Sequence, residues 1–143
     1  MWQYDYDIEI NATPETIWEI FCDVPGWKRW NAGIEHIEIN GPFEAGTVFI
    51  MTPPGQEPIS TRLIEVRKNE VFVDETCVGD IMVLVAHRIQ YIAPKLTQVT
   101  YSIQVTGPSA KEIGKAISAD FPDVLKALAA LAESKTKNDL INS

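Results

Sequence analysis

Residues 96–112 read LTQVTYSIQVTGPSAKE, and this stretch decides the fold. From Val99 onward apolar and polar side chains alternate, which predicts a strand over Leu96 to Thr106 with one buried face. A Gly-Pro pair then breaks the strand. Ser109, followed three residues later by Glu112, forms a capping box and predicts the start of a helix.

The residues after this box have helical periodicity as far as about Lys135. Their main apolar members form one stripe: Ile113, Ile117, Phe121, Val124, Leu125, Leu128 and Leu131. Pro122 must kink or restart the helix, because its ring clashes with the preceding turn. We therefore expect a long C-terminal helix that is irregular at Pro122, with Phe121 facing the sheet.

On the N-terminal side, the chain begins with an alternating segment that predicts a strand over Gln3 to Ile10. Thr13 and Pro14 then supply an N-cap and a first helical residue for a short helix. A second short helical turn should contain Trp27 and Trp30, whose spacing of three places them on one face. We interpret Trp27 as an anchor on the core, and leave open whether Trp30 anchors or gates a pocket.

Short apolar segments separated by turn residues fill the middle of the chain. They predict strands at Glu35–Ile39, Thr47–Met51, Ile59–Val66, Val71–Val78 and Ile81–Tyr91. Tight turns between such strands favour an antiparallel sheet, here of about seven strands in all. The long amphipathic helix must bury its apolar stripe against this sheet, so the predicted fold class is α+β.

Composition limits the possible partners. The 143 residues suit a single domain over 1–143. With a formal net charge of −8 and few, scattered Lys and Arg residues, we expect no nucleic-acid partner. No apolar run could span a bilayer, so stable membrane insertion is not expected either. The chain starts without a secretory pattern and its two cysteines suggest no disulfide framework, so we expect a cytoplasmic protein.

Four local motifs occur in a familiar order. They are INATPETIW (residues 10–18), DVPGWKRW (23–30), GPFEAGT (41–47), and TQVTY (97–101) followed by Gly-Pro and the long helix. In this order the chain resembles the SRPBCC, or START-like, superfamily, which includes START lipid-transfer domains, polyketide cyclases and the birch-pollen allergen family. The resemblance covers nearly the whole chain. It implies a helix-grip fold, in which a strongly curved antiparallel sheet wraps round a long C-terminal helix, with two short helices after the first strand.

This fold implies a pocket, because a curved sheet cannot touch a straight helix along its whole length. Such pockets commonly measure about 300–1,000 Å³ and have apolar walls. The inner faces of the strands, including the odd positions of residues 81–91, should line it together with the helix stripe. The candidate ligand-binding residues are Trp30, Phe49, Met51, Val85, His87, Ile89, Val99, Tyr101, Ile103, Ile117, Phe121 and Val124.

His87 should face the interior, because Arg88 and Gln90 beside it belong in water. We favour a core histidine whose partner is Tyr101, a backbone carbonyl or water, over a catalytic group. Burial should lower its pKa below about 6.5. No metal site is expected, since the other histidine is remote in sequence and no ligand spacing supports one.

Asp74 and Glu75 are adjacent on one predicted strand, so one of them must face inward. The pattern does not decide which. The inward carboxyl group could act as a general base after its pKa rises in an apolar site. We favour the alternative that it forms an ion pair with Arg62 on the neighbouring strand.

Three functions are consistent with the sequence, because a shared fold does not choose among them. The preferred one is binding or carriage of a hydrophobic small molecule such as a lipid, isoprenoid or polyketide. The second is a cyclase or dehydratase that uses His87 with Asp74 or Glu75 around Tyr101. The third is a regulator resembling the heat-shock-protein ATPase activator domain, acting through its outer surface. No cofactor is expected, and the oligomeric state is left open.

Overall fold

Seven antiparallel strands form one curved sheet in the structure, a computed structural model that describes the backbone of residues 1–142 and the side chains of residues 1–136. The strands are β1 Trp2–Ile10, β2 His36–Ile39, β3 Val48–Thr52, β4 Ile59–Arg67, β5 Val71–Val78, β6 Ile81–Ala93 and β7 Leu96–Thr106. Across the sheet they follow the order β1-β7-β6-β5-β4-β3-β2. The predicted fold class is confirmed: β5 and β7 have the predicted bounds, and the other strands differ by one or two residues at their ends.

Three α-helices and one 3-10 helix complete the described chain. The α-helices are α1 Pro14–Cys22, α2 Ala110–Ser118 and α3 Phe121–Asn142, and the 3-10 helix is Val24–Arg29. Helix α1 packs against α3 and β6, and α2 packs against β7 and β1. The apolar stripes of the helices and the inner face of the sheet therefore enclose one common core.

Helix α1 begins as the sequence predicts. The Thr13 side chain accepts a hydrogen bond from the backbone N–H of Thr16 at 3.2 Å, and Pro14 occupies the first helical position. The helix buries Ile17, Trp18, Ile20 and Phe21.

The predicted capping box at Ser109 is wrong. Ser109 precedes α2, but its backbone is left-handed, with φ 60° and ψ 29°, and its side chain makes no capping hydrogen bond. An N-cap side chain reaches the helix N–H groups from an extended backbone, which Ser109 does not have. Two residues before it, Gly107 turns the chain with φ 120°, close against the carbonyl oxygen of Asp80. The sharp reversal from β7 into α2 therefore decides the conformation of Ser109.

The long C-terminal helix is divided in two, as the position of Pro122 predicts. Helix α2 ends at Ser118 and α3 begins at Phe121. The Val124 N–H bonds to the carbonyl oxygen of Asp120 at 2.9 Å, closing the first turn of α3. Pro122 lies within this first turn, where its missing N–H leaves no hydrogen bond unmade.

Helix α2 lies very close to the sheet at Gly114. A side-chain carbon at this position would overlap the ring of Trp2 on β1, so only glycine allows this approach. This contact fixes α2 over the β1 side of the sheet, and the break after Ser118 then lets α3 take a separate direction over the core.

Candidate functional site

A cavity of about 460 Å³ lies between the sheet, the 3-10 helix with its following loop, and the break between α2 and α3. Its volume falls within the range of small-molecule pockets, and its walls are mainly apolar and aromatic. Residues of the sheet, of the 3-10 segment with its loop and of the helix break together form its wall.

Nine of the twelve predicted ligand-binding residues line the cavity. They are Trp30, Phe49, Met51, Val85, His87, Tyr101, Ile117, Phe121 and Val124. The other three, Ile89, Val99 and Ile103, are buried in the core and are not part of the cavity wall. They have the predicted inward orientation, but the helices pack directly on them and leave no space.

Tyr91 corrects the expectation that every odd position of residues 81–91 lines the pocket. It is 61% exposed and is not part of the cavity wall, although it pairs with the buried Thr97 in the same register as the preceding residues of β6. The register shift comes only after it, so alternation predicts the face of Tyr91 but not that the core leaves it uncovered.

The two tryptophans of the 3-10 segment serve both as anchors and as cavity wall. The Trp27 indole N–H donates to the carbonyl oxygen of Phe21 at 2.9 Å, and its ring stacks on Phe72 with centroids 5.6 Å apart. Trp30 is equally buried and packs against Trp27. The interpretation of Trp27 as an anchor is therefore confirmed, and Trp30 shares this role.

His87 is held in place by its neighbours on the sheet. Its Nδ1 lies 3.1 Å from the carbonyl oxygen of Phe72, so Nδ1 carries the proton and donates it. Its ring stacks on Phe72 at 3.9 Å, and Tyr101 meets it edge-on at 4.6 Å. The partner is thus a backbone carbonyl rather than the Tyr101 hydroxyl. Burial lowers the pKa of His87 to about 3, so the ring is neutral at physiological pH.

The structure decides which neighbouring carboxylate faces inward. Asp74 lines the cavity, whereas Glu75 lies on the outer face and pairs with Arg62 at 3.1 Å. The ion pair that we favoured therefore exists, but it belongs to the outward residue. The register explains the difference, since Asp74 pairs with Val85 and Leu63, both of which belong to the inner face.

Asp74 faces the cavity from β5. Burial raises the pKa of its carboxyl group to about 7, and no hydrogen bond or opposite charge among the described residues offsets this effect. The Tyr101 hydroxyl is near enough that the Asp74 charge, after burial, helps to raise its pKa well above the usual range. Two residues further along β5, the hydroxyl of Thr76 is hydrogen-bonded to that of Thr61 at 2.8 Å.

Asp120 is a cavity residue that the sequence interpretation missed. It lies in the break between α2 and α3, exposed at the edge of the cavity, and partial burial raises the pKa of its carboxyl group. Across the gap lies Gly33, in the loop after the 3-10 helix, where an added side-chain carbon would be 3.4 Å from an Asp120 oxygen. The helix break at Phe121-Pro122 was the only sequence signal that could have pointed to it.

Three further wall residues, Ile81, Val83 and Ile113, belong to the odd positions of residues 81–91 and to the helix stripe, which the sequence predicted to line the pocket. The remaining wall residues were missed: Trp27, Asn31, Gly33, Ile34, Ile59, Thr61, Phe72, Thr76 and Val78. Alternation along the strands predicted that several of them face inward. It could not predict which part of the inner face the helices leave uncovered.

Among the described side chains, no three His, Cys, Asp or Glu residues come together as a possible metal site. Across the described residues, no helix has the length and apolar character needed to span a bilayer.

Comparison with solved structures finds the same fold in several proteins. A START superfamily protein from Mycobacterium smegmatis superimposes with a TM-score of 0.75 at 17% identity, over 92% of this chain and 97% of the other. A protein from Mesorhizobium loti superimposes with a TM-score of 0.78 at 12% identity, over 93% of this chain and 98% of the other. Norcoclaurine synthase from Thalictrum flavum, in complex with dopamine and hydroxybenzaldehyde, superimposes with a TM-score of 0.73 at 16% identity. The superposition covers 93% of this chain and 87% of the other. At these identities the likeness establishes the fold.

No curated protein sequence matches the chain. A family model does match, over residues 1–133, and it describes polyketide cyclases or dehydrases and lipid-transport proteins. The match includes every strand, the capped first helix, the tryptophan segment, α2 and the first part of α3. The chain therefore belongs to the polyketide cyclase/dehydrase and lipid transport family.

Proposed function

We propose that this protein binds an apolar small molecule in the cavity between the sheet and the broken C-terminal helix. The observation that carries the proposal is the cavity itself, whose volume is about 460 Å³. Most of its wall consists of aromatic and aliphatic side chains, which gain little by facing water. The family's description, which includes lipid transport, supports the same function.

An internal cavity also favours this function over that of a regulator acting through its outer surface. A regulator needs a surface apolar patch and has no use for a cavity of this kind. The apolar wall of the cavity is more stable when it is covered than when it faces water. A bound apolar molecule would provide this cover.

The test uses N-phenyl-1-naphthylamine, an uncharged dye whose fluorescence rises in apolar surroundings. We expect saturable binding with a blue-shifted emission. Val85→Phe places a larger side chain in the cavity wall and should abolish binding. Val73→Phe adds the same bulk to the outer face of neighbouring β5 and should leave binding intact. Equal binding by both variants, or no binding by the wild type, would contradict the proposal.

A second candidate function is acid–base catalysis, and one observation favours it. A pKa of about 7 leaves Asp74 able to take up or release a proton at physiological pH. His87 is less suited, because a pKa of about 3 makes it a weak base and leaves it uncharged. In this candidate function Asp74, rather than His87, therefore has the acid–base role, and the Tyr101 hydroxyl is near it.

This candidate can be tested with 5-nitrobenzisoxazole, a probe for a base in an apolar cavity. The carboxylate would take the ring C–H proton while the N–O bond breaks, giving a coloured cyanophenolate. We expect a rate above buffer that rises with pH towards 7, persists in Glu75→Gln and disappears in Asp74→Asn. A rate that Asp74→Asn retains would exclude Asp74 as the base.

A further inference from the structure

The charged groups of the cavity are all of one sign. Two carboxyl groups, Asp74 and Asp120, belong to its wall. No lysine or arginine lines it among the residues whose side chains the structure describes. His87 supplies no positive charge either, since its ring is neutral. A ligand with a carboxylate or phosphate would therefore meet two acidic groups and no counter-charge.

Asp74 also lacks a partner within the protein. Among the described residues, neither a hydrogen bond nor an opposite charge acts on its carboxyl group. Its outward neighbour Glu75, by contrast, has Arg62 at 3.1 Å. A half-buried carboxyl group that faces the cavity without a protein partner can accept a hydrogen bond or receive a counter-charge from a ligand.

The other polar groups near Asp74 do not compete for it. The Thr61 and Thr76 hydroxyls are bonded to each other, and the His87 Nδ1 proton is bonded to the Phe72 carbonyl. That bond leaves His87 Nε2 as an acceptor, so it too matches a donor on the ligand. Tyr101 has its hydroxyl near the carboxyl group, and its ring is part of the wall.

We propose that the cavity selects apolar molecules carrying one protonated amine, with the ammonium group paired to the Asp74 carboxylate, and that it discriminates against fatty acids and other anions. This inference rests on the proposed function and specifies its ligand class. An ammonium group supplies the missing donor and counter-charge together, while aromatic rings around the site favour a cation. An anionic head group would instead bring a like charge into a poorly solvated space.

Three ligands with one apolar chain test the charge preference: decylamine, decanol and decanoate, each displacing N-phenyl-1-naphthylamine at pH 8. We expect decylamine to displace the dye at a concentration at least tenfold below that of decanoate, with decanol between them. Asp74→Asn should lower the affinity for decylamine at least tenfold and change the affinity for decanol by no more than about twofold. Glu75→Gln, one residue away on the outer face, should leave both affinities unchanged.

The pH dependence gives a second readout. Below its pKa of about 7, Asp74 must lose a proton before it can pair with the ammonium group. Decylamine affinity should therefore rise from pH 6 to pH 8, whereas decanol affinity should not. The titratable groups facing this site are Tyr101 from β7, His87 from β6 and Asp120 from the helix break. Asp74→Asn should remove the rise, and Asp120→Asn should keep it.

The outcomes separate the two proposals. If decanoate or decanol displaces the dye as well as decylamine does, the cavity binds apolar molecules but the amine preference is wrong. An amine preference that survives Asp74→Asn, or decylamine that fails to displace a bound dye, would also overturn it. If the dye itself does not bind in the cavity, the proposed function fails first.

Discussion

Thr13 and Ser109 both precede a helix, but only Thr13 caps one. We expect Thr13→Ala to lower the free energy of unfolding by about 1 kcal/mol, because a helix N–H loses its acceptor. Ser109→Ala should change it by less than about 0.5 kcal/mol, since no capping bond is lost. Urea unfolding of both variants measures the difference, and equal losses would contradict the conformation described for Ser109.

His87 allows a second prediction for a single residue. Because burial lowers its pKa to about 3, the imidazole should stay neutral from pH 5 to pH 8, with the proton on Nδ1 bonded to the Phe72 carbonyl. Nitrogen NMR of the labelled ring distinguishes the two tautomers and the cation. A cation at pH 6, or a proton on Nε2, would contradict the environment described for this ring.

Among the structural elements, the break between α2 and α3 is an exposed part of the cavity wall. Ala119 and Asp120 are exposed, while Ser118 and Phe121 on either side are buried. Amides of residues 119–123 should exchange hydrogen faster than those of 114–118 and 124–128, because the helical hydrogen-bond pattern is interrupted there. Mass spectrometry after deuterium labelling measures this. Uniform protection across all three segments would argue against ligand passage at this break.

The strands show how far a residue pattern can predict an element. The sequence predicts β7 to the residue, because its alternation is regular and each side of the strand has one character. In β5 the apolar residues occur on both faces, so the sequence could not decide between Asp74 and Glu75. Pairing with β4 and β6 decides it, because the inner faces of three strands must coincide.

For the whole molecule, Asp74 makes stability depend on pH. Its pKa is about 7 in the folded state and about 3.9 in an unfolded chain. Between these values the folded state holds a proton that the unfolded state has released, so stability falls as pH rises from about 4 to 7. Asp74→Asn cannot ionise, and its stability relative to the wild type should therefore increase from pH 4.5 to pH 8.

Thermal unfolding of both proteins across this range measures the effect. His87 has the opposite influence, since its lowered pKa reduces stability as pH falls from about 6.5 towards 3. Because the wild type and Asp74→Asn both contain His87, the difference between their stabilities reports the ionisation of Asp74 alone. A difference that does not vary with pH would mean that Asp74 is well solvated, and would also weaken the proposed pairing with an amine.

The sequence by itself determined the order of the strands along the chain, the fold class, the division of the C-terminal helix at Pro122 and the inward orientation of His87. These depend on periodicity and on local backbone chemistry, which neighbouring residues decide. Only the tertiary structure placed Asp74 and Asp120 in one cavity and left Ile89, Val99 and Ile103 outside it. A cavity is the space that distant elements fail to fill, so it depends on sheet curvature, strand register and helix direction, which no single segment of the chain encodes.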